Sequence, residues 1–188
     1  NYGATWKYLD NGTNQGTAWR GTGFNDASWS SGPSELGYGD APATTVSYGP
    51  DANNKYVTTY FRKTVTITNP SSYTIFNASI RRDDGCVVYV NGTQVYISNL
   101  SGTVAYNTFA STASDDGATP QSFTIPTSAF VNGTNVIAVE MHQSSLTSTD
   151  LTFDMVLSAT AAGAEPEIIR GPMLQMVSET AVTIRWTT

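Results

Sequence analysis

Apolar and polar residues alternate in short segments through most of the chain. Between residues 60 and 67, Phe61, Val65 and Ile67 share one face of the pattern. A period of two places neighbouring side chains on opposite sides of a strand, so this segment predicts a β-strand with one buried face. The same alternation recurs at Phe76, Ala78 and Ile80, at Cys86, Val88 and Val90, and at Leu151, Phe153, Met155 and Leu157.

Turn signals separate these segments, and no window shows sustained helical periodicity. Asn91-Gly92 supplies two residues that tolerate positive φ, which predicts a tight hairpin into residues 94–97. Many short strands separated by such turns are typical of packed sheets. The pattern therefore predicts an all-β sandwich.

The first fifty residues follow a different pattern, in which aromatic side chains are scattered among Gly, Ser and Asn. Trp6, Trp19, Phe24 and Trp29 belong to this region, which shows little alternation. We expect such loops to wrap over a sheet and cover it, because large rings usually bury their faces. The alternative is that they build a platform for a ligand.

The composition changes near residue 160, where a run of small residues is followed by Pro166. Such a run predicts an interdomain linker. A new alternating pattern then continues to Trp186. Two strands cannot bury a core alone. We therefore expect a first domain over residues 1–160, a linker over 161–167 and the truncated start of a second β domain over 168–188.

Composition and charge narrow the classes of partner. Only 13% of the 188 residues are charged, and the formal net charge is −6. Nucleic-acid binding needs a basic surface that releases counterions from phosphates, so we expect no nucleic-acid partner. No apolar run approaches the roughly 20 residues of a membrane helix, so we expect no membrane insertion. The single cysteine, Cys86, excludes an internal disulfide and lies in a strand pattern that favours burial.

Motifs in order along residues 5–158 carry a family resemblance. They are Trp19 and residues 24–29, 36–40, 60–63, 83–85, 88–92, 133–136, 140–143 and 148–151. Together they resemble the galactose-binding-like jelly-roll modules of secreted bacterial proteins. Related jelly rolls occur as non-catalytic domains of family-two glycosidases. The resemblance implies a jelly-roll sandwich, a secreted or extracellular location, and binding of carbohydrate or of a cell-surface glycan.

A second resemblance lies near the carboxyl end. Residues 170–175 and 182–186 are similar to the start of the fibronectin-III-like domain that precedes the catalytic domain of purple acid phosphatases. This resemblance implies that the parent protein is a secreted metallophosphoesterase whose catalytic domain is the neighbour of this module. The metal ligands of such an enzyme would lie beyond Thr188, so we expect the chain itself not to be an enzyme.

Few residues are candidates for catalysis. His142 is the single histidine, and no Gly-x-Ser-x-Gly segment positions a nucleophile for it. Alternation places His142 on the same face as Glu140, where a hydrogen-bonded pair would tie strand ends together. Asp83 and Asp84 are adjacent and point to opposite sides of a strand, so they cannot form the facing carboxylate pair of a glycosidase. A glycosidase or lyase is therefore the least favoured hypothesis.

Five residues are the candidates for ligand binding: Trp29, Tyr38, Arg82, Asp84 and His142. An arginine and a carboxylate at the loop end of a sheet suit bidentate recognition of sugar hydroxyls. Trp29 and Tyr38 lie in locally unconstrained segments and can present flat faces to a pyranose ring. The alternative for each residue is structural, as an ion pair, a turn cap or a packed ring. Among these two rings and Trp6, Trp19 and Tyr48, we expect most to be packed and one or two to be exposed.

Two loops, residues 10–14 and 114–117, offer the oxygen ligands that calcium prefers. Neither loop has the spacing of an EF-hand, and plain Asx turns are the alternative. The galactose-binding-like resemblance implies a structural ion in some such loop. A structural calcium is therefore an expectation without an assigned set of ligands.

The leading functional prediction is a non-catalytic accessory module that binds carbohydrate or a cell surface for a secreted bacterial metallophosphoesterase. The alternative is a structural spacer that packs on the catalytic domain and binds no ligand. The two differ in whether the loops around Tyr38, Arg82, Asp84 and His142 form an open groove or a filled one.

Overall fold

The computed structural model describes residues 2–163 and, beyond them, the backbone of residues 173–178 and 181–185. Residues 2–163 form an all-β sandwich of two sheets. Its strands are β1 (Thr5–Leu9), β2 (Ser30–Pro33), β3 (Leu36–Tyr38), β4 (Thr44–Thr45), β5 (Thr58–Ile67), β6 (Tyr73–Asp83), β7 (Gly85–Val90), β8 (Thr93–Ser98), β9 (Gln121–Ile125), β10 (Gly133–His142) and β11 (Leu151–Ala161). Three single-turn 3-10 helices lie between them, at Ala18–Arg20, Pro70–Ser72 and Thr127–Ala129.

The strand order confirms the predicted jelly-roll sandwich. The six-stranded sheet runs β2-β1-β5-β10-β7-β8, and the five-stranded sheet runs β4-β3-β11-β6-β9. Neighbouring strands are antiparallel, except for the short parallel pair of β3 and β4. Most sheet neighbours are therefore distant in sequence, as closing a sandwich with crossover connections requires.

The predicted apolar faces of the strands meet between the two sheets. Phe61 of β5 stacks on Phe153 of β11 with ring centroids 4.3 Å apart, and Trp6 meets Phe153 edge-on at 4.9 Å. Each fully buried side chain of this kind stabilises the fold by about 1.5–3 kcal/mol relative to its exposed form. The same core contains the other predicted inward residues Phe76, Ala78, Ile80, Cys86, Val88, Val90, Leu151 and Met155.

The hairpin at Asn91-Gly92 is also confirmed. Asn91 has φ of 51° and Gly92 has φ of 91°, which is the pair of positive values that a type I′ turn needs. The Asn91 side chain has a second role, because its Oδ1 accepts a hydrogen bond from the backbone N–H of Val136 at 2.9 Å. The turn between β7 and β8 is thereby fastened to β10.

Residues 10–29, called the lid below, cover the outer face of the six-stranded sheet, as predicted for the aromatic amino-terminal region. Trp19 and Trp29 of the lid form a second apolar cluster with Tyr60, Val87 and Tyr89 of the sheet. Trp19 is fully buried. Residues 58–62 of β5, all of β7 and residues 135–142 of β10 are consequently buried on both faces.

The predicted domain boundaries fall mainly outside the described residues. Strand β11 runs to Ala161, one residue into the predicted linker. Met173–Ser178 and Ala181–Arg185 pair as a separate antiparallel two-stranded sheet. Residues 164–167 of the predicted linker lie outside what the structure describes, as do residues 168–172, 179–180 and 186–188 of the predicted fibronectin-III-like segment. Within the part that it describes, no helix has the length and apolarity to cross a membrane.

Candidate functional site

Four of the five predicted ligand-binding residues lie at one end of the sandwich. This loop end consists of residues 39–57, 99–120 and 143–150 together with the turn at Asp84. Tyr38 ends β3, Arg82 lies near the end of β6, and His142 ends β10. The fifth residue, Trp29, lies apart from them in the lid.

Asp84 ties two loops of this end together. Its Oδ1 accepts a hydrogen bond from the backbone N–H of Ala113 at 3.0 Å, and its Oδ2 accepts one from the backbone N–H of Ser144 at 2.7 Å. The Ser148 hydroxyl also donates to Oδ2, at 3.2 Å. The carboxylate is buried and turned toward these donors, so its contacts are those of a structural loop anchor.

Arg82 is buried beside Asp84 and points to other partners. Its Nε donates to the Ser98 hydroxyl at 3.0 Å, and one terminal nitrogen lies 3.2 Å from a carboxylate oxygen of Asp115. Sugar recognition by Arg82 and Asp84 stays a prediction. Their observed contacts are those of the structural alternative, because neither side chain presents its charged group to solvent.

Trp29 and Tyr38 are both buried, so the two rings that lie in locally unconstrained segments are not the exposed ones. Trp29 is 7% exposed and stacks on Trp19 with centroids 6.4 Å apart. Tyr38 is 5% exposed and packs edge-on against Tyr48 at 5.2 Å. Tyr48 is 37% exposed, and it is the exposed member of the five rings singled out from the sequence, since Trp6 and Trp19 are buried too.

His142 is fully buried and shares a face with Glu140, as alternation predicted. Its Nδ1 lies 2.8 Å from the carbonyl oxygen of Thr108, so Nδ1 carries the proton and donates. Its Nε2 lies 3.7 Å from Glu140 Oε2, which is too long for a hydrogen bond. Glu140 instead accepts from the Tyr89 hydroxyl at 2.6 Å and contacts Arg20 at 3.3 Å. His142 therefore holds the loop at Thr108 on the sheet, and Glu140 holds the lid at Arg20.

The two loops proposed for calcium differ in structure. In residues 10–14, Asp10 Oδ2 accepts from the backbone N–H of Ser47 at 2.6 Å, and Asn11 Oδ1 accepts from that of Thr13 at 3.1 Å. These oxygens are occupied by turn and loop hydrogen bonds, as the Asx-turn alternative predicted. In residues 114–117, Asp115 forms an ion pair with Arg82. Asp116 instead lies close to the carboxylates of Asp40 and Asp150.

Four carboxylates meet at the loop end and are called the carboxylate cluster below: Asp40, Asp83, Asp116 and Asp150. Oxygens of Asp40, Asp116 and Asp150 all lie within 4.8 Å of one another. Asp83 is buried near Asp150, and the two carboxyl groups influence each other's pKa. The close approach needs Gly39, because a Cβ there would lie 2.5 Å from the Cβ of Asp150.

The environment of the cluster disfavours negative charge. Burial, the charge of Asp84 and the contact with Asp150 together raise the pKa of Asp83 to about 8. Burial likewise raises the pKa of Asp150 above its usual value. Alternation alone did not reveal the cluster, because the proximity of its residues depends on which strands pair. Asp83 is the last residue of β6, and Asp150 immediately precedes β11. Because β6 and β11 pair antiparallel, the end of one strand and the start of the other lie at the same end of the sheet.

The outer face of the five-stranded sheet carries an open groove of about 330 Å³ that the sequence predictions did not include. Hydroxyl and amide side chains line it around a partly buried apolar residue, Val156. The polar lining residues are Asn77, Ser79, Ser122, Thr124 and Ser158. The polar positions of the alternating pattern in β6, β9 and β11 are the sequence feature from which this groove could have been predicted.

An exposed tyrosine lies at the rim of this groove. The Tyr2 hydroxyl donates to the Ser79 hydroxyl at 3.0 Å, and the Tyr2 ring is exposed. The guanidinium carbon of Arg81 lies 5.6 Å from the centre of that ring. The rim therefore offers an aromatic face and a cation beside a row of neutral hydrogen-bonding groups.

Comparisons with known proteins show the fold. No protein-family model matches the chain, and no curated protein matches it. Among solved structures, Bacteroides uniformis β-glucuronidase 2 covalently bound to cyclophellitol-6-carboxylate aziridine superposes with a TM-score of 0.57 at 19% identity, over 84% of this chain and 17% of that chain. The crystal structure of Bacteroides uniformis β-glucuronidase gives 0.56 at 18% identity, over 83% and 18%.

A third similar structure is a glycosyl hydrolase family 2 member from Bacteroides cellulosilyticus, with a TM-score of 0.53 at 16% identity over 85% of this chain and 20% of that chain. This chain thus spans one fifth or less of the length of these enzymes. These likenesses show the β-sandwich fold.

Proposed function

We propose that this chain is a non-catalytic accessory module that binds carbohydrate through the groove on its five-stranded sheet. The observation that supports this proposal is the row of neutral hydroxyl and amide groups beside the exposed ring of Tyr2. Sugars present hydroxyl groups and an apolar ring face together. Ser, Thr and Asn side chains match the hydroxyls as donors and acceptors, and an aromatic face matches the apolar side.

The positions of the groove residues suit an extended ligand. Strand pairing places Ser158, Asn77 and Thr124 in one row across three strands. Val156, Ser79 and Ser122 form the neighbouring row. Residues on rigid strands hold their hydrogen-bonding groups at set spacings, which lowers the ordering cost of binding.

The fold likeness supports an accessory role beside a catalytic domain. The similar structures are β-glucuronidases and a family 2 glycosyl hydrolase, and this sandwich corresponds to a minor part of each. By analogy, the parent of this chain acts on glycans or on a glycan-bearing surface. Such an argument from fold alone gives the context rather than the ligand.

The buried state of the chemically reactive residues supports a non-catalytic module. His142 and Glu140 lie under the lid and the covering loops, and Asp84 holds loop backbones. A glycosidase needs two carboxyl groups that face one substrate cleft. The groove lining contains no carboxylate.

A separate and more specific proposal concerns the class of the whole protein to which this module belongs. The resemblance of residues 170–186 to a purple-acid-phosphatase segment implies a secreted bacterial metallophosphoesterase, with its catalytic domain as the neighbour of this module. That inference depends on the sequence of those residues. It is independent of the groove and of the fold likeness.

Affinity gel electrophoresis of the 188-residue chain against plant, bacterial and host polysaccharides tests the binding proposal. We expect at least one polysaccharide to retard the chain. Thr124→Arg, which places a long side chain in the groove, should abolish the retardation. Thr66→Arg is the matched control, because Thr66 is also an exposed strand residue but belongs to the other sheet. Tyr2→Ala should weaken binding by about tenfold, the loss of one good contact.

The second candidate is a structural spacer that binds no ligand, and one observation favours it. All five residues first predicted to bind a ligand are buried, and the loops around Tyr38, Arg82, Asp84 and His142 pack against them. A folded chain that no polysaccharide retards would support the spacer. Retardation that Thr124→Arg leaves unchanged would also contradict binding in the groove.

A further inference from the structure

Arg81 extends the groove to which we assign carbohydrate binding. It follows Ser79 by two residues on β6, so both side chains leave the same face of the sheet, about 7 Å apart along the strand. Tyr2 contacts both of them: its hydroxyl donates to the Ser79 hydroxyl at 3.0 Å, and its ring centre lies 5.6 Å from the guanidinium carbon of Arg81. A cation therefore continues the rows of neutral hydrogen-bonding groups.

The carboxylate opposite Arg81 in the sheet is engaged by other groups. Strand pairing places Asp154 of β11 directly beside Arg81, and opposite charges at such cross-strand positions usually attract each other. Asp154 is buried, however, and accepts hydrogen bonds from the Ser34 hydroxyl and from the backbone N–H groups of Gly3 and Met155. These three donors occupy the carboxylate, so Arg81 lacks the partner that the strand register offers it.

The ion pair that Arg81 does form is weak. One of its terminal nitrogens lies 3.8 Å from a carboxylate oxygen of Glu35, which is too long for a hydrogen bond. Both side chains are partly exposed, at 43% and 25%, and such pairs contribute little. The Nε of Arg81 has no hydrogen-bond partner among the residues that the structure describes. The guanidinium therefore keeps N–H donors for a ligand.

Asp154 also holds the aromatic part of this region. Its Oδ2 accepts the backbone N–H of Gly3 at 3.1 Å, which fixes the chain next to Tyr2. The Tyr2 hydroxyl is fixed a second time by Ser79. The exposed ring and the guanidinium are thus in place before a ligand arrives, and this lowers the ordering cost of binding.

Arg81 distinguishes between neutral and acidic sugars as ligands. The fork of a guanidinium matches the two oxygens of a carboxylate in parallel charge-assisted hydrogen bonds, whereas a sugar hydroxyl brings no charge to it. The chain as a whole carries a formal net charge of −6, which gives it no general attraction for polyanions. A preference for acidic sugars must therefore come from a local contact.

We propose that the groove prefers acidic polysaccharides, with a uronate carboxylate on Arg81, the sugar ring on Tyr2 and sugar hydroxyls on Ser79 and its neighbours in the groove. This inference rests on the proposed function, because it concerns the same groove and adds the class of sugar that it takes.

Affinity gel electrophoresis of the 188-residue chain in polygalacturonate, alginate and hyaluronate, each as the acid and as its methyl ester, tests the proposal. Within a pair, the two polymers share backbone, linkage and hydroxyl groups and differ in the charge of the carboxyl group. We expect at least one acid to retard the chain at about one tenth of the concentration that its ester needs, the effect of one charge-assisted hydrogen-bonded contact. The ester should still retard the chain through the neutral groups of the groove.

Variants assign the preference to one side chain. Arg81→Gln keeps a hydrogen-bonding side chain and removes the charge, so it should abolish the difference between acid and ester while the ester binds as before. Arg81→Lys should restore the difference only in part, because an ammonium keeps the charge and lacks the fork. Lys63→Gln is the matched control, since Lys63 is also a partly exposed strand cation but belongs to the other sheet. Circular dichroism checks that each variant folds.

The outcomes separate this inference from the proposed function. Equal retardation by every acid and its ester, or retardation by neutral polysaccharides alone, would overturn the preference for uronates and leave binding in the groove intact. A preference for the acid that Arg81→Gln retains would overturn the assignment to Arg81. A folded chain that no polysaccharide retards would overturn both proposals.

Discussion

The Nε of Arg62 donates to Oδ2 of Asp26 over 2.9 Å, and this ion pair joins β5 to the lid. Arg62 is buried on the outer face of the six-stranded sheet, and its guanidinium also reaches the carbonyl oxygens of Trp19 and Gly21. Lys7 contacts the other oxygen of Asp26 at 2.8 Å. The lid is therefore held by charge as well as by its aromatic rings.

Asp26→Ala should loosen the lid. Removing the carboxylate leaves the buried Arg62 without its charged partner, and we expect a loss of about 1.5–3 kcal/mol in the free energy of unfolding, the range for a hydrogen bond to a charged group. Urea unfolding followed by tryptophan fluorescence measures this loss, because Trp19 and Trp29 lie in the lid. Asp51→Ala, in an exposed loop, is the control and should change stability by no more than about 0.5 kcal/mol. Equal losses in the two variants would contradict the role of the ion pair.

The same pair predicts a dependence of stability on pH. Partial burial pushes the pKa of Asp26 upward, but the hydrogen bonds and charges of Arg62 and Lys7 outweigh it and hold the pKa below its usual value. A lowered pKa in the folded state stabilises the fold above the unfolded value of about 3.9 and loses this contribution as pH falls through the folded value. The stability difference between the unaltered chain and Asp26→Asn should therefore shrink as the pH is lowered below about 4. Urea unfolding at a series of pH values measures it, and a constant difference would contradict the prediction.

Asp84→Ala should release two loops at once. The change removes the acceptor for the backbone N–H groups of Ala113 and Ser144 and leaves them unpaired. A buried donor left unsatisfied costs about 1–3 kcal/mol. The Ala113 amide is buried and the Ser144 amide is partly buried, so the variant should lose at least about 1 kcal/mol of stability. Hydrogen exchange should accelerate at these two amides in particular. Unchanged exchange there would show that the Asp84 contacts are not maintained in solution.

Trp29→Ala should act on stability rather than on ligand binding. Trp29 is packed against Trp19 and Phe24, and truncating a buried tryptophan costs about 3–5 kcal/mol. Tyr48→Ala is the comparison, because Tyr48 is an exposed ring and should cost less than about 1 kcal/mol. Chemical unfolding of the two variants measures both values. A Trp29 variant as stable as the Tyr48 variant would contradict the packing of the lid.

Cys86 should resist thiol reagents in the folded protein. Complete burial raises the pKa of the Cys86 thiol to about 12, against a smaller opposing effect of Arg82, so almost no thiolate exists near neutral pH. We expect no reaction with a disulfide-exchange reagent at pH 8 until denaturant is added, when one thiol per chain should react. Rapid labelling of the native chain would show that β7 opens readily.

The alternation of polar and apolar residues, together with the turn residues, was sufficient to predict most of the fold. The face of each strand followed from the alternation of residues such as Phe61 and Phe153, because a strand turns successive side chains to opposite sides. The Asn91-Gly92 hairpin followed from the two residues themselves, because few others accept positive φ in succession. The burial of Cys86 followed from the same periodicity.

Contacts between distant segments decided the rest. Trp29 and Tyr38 have small and polar neighbours in sequence, so nothing local indicated that the six-stranded sheet and the loop end would bury them. Asp40 and Asp150 meet because β3 and β11 pair antiparallel, and that register depends on the packing of both sheets. The sequence by itself determined which residues could face a core. Only the tertiary structure decided which polar residues come together, because their proximity depends on strand order rather than on periodicity.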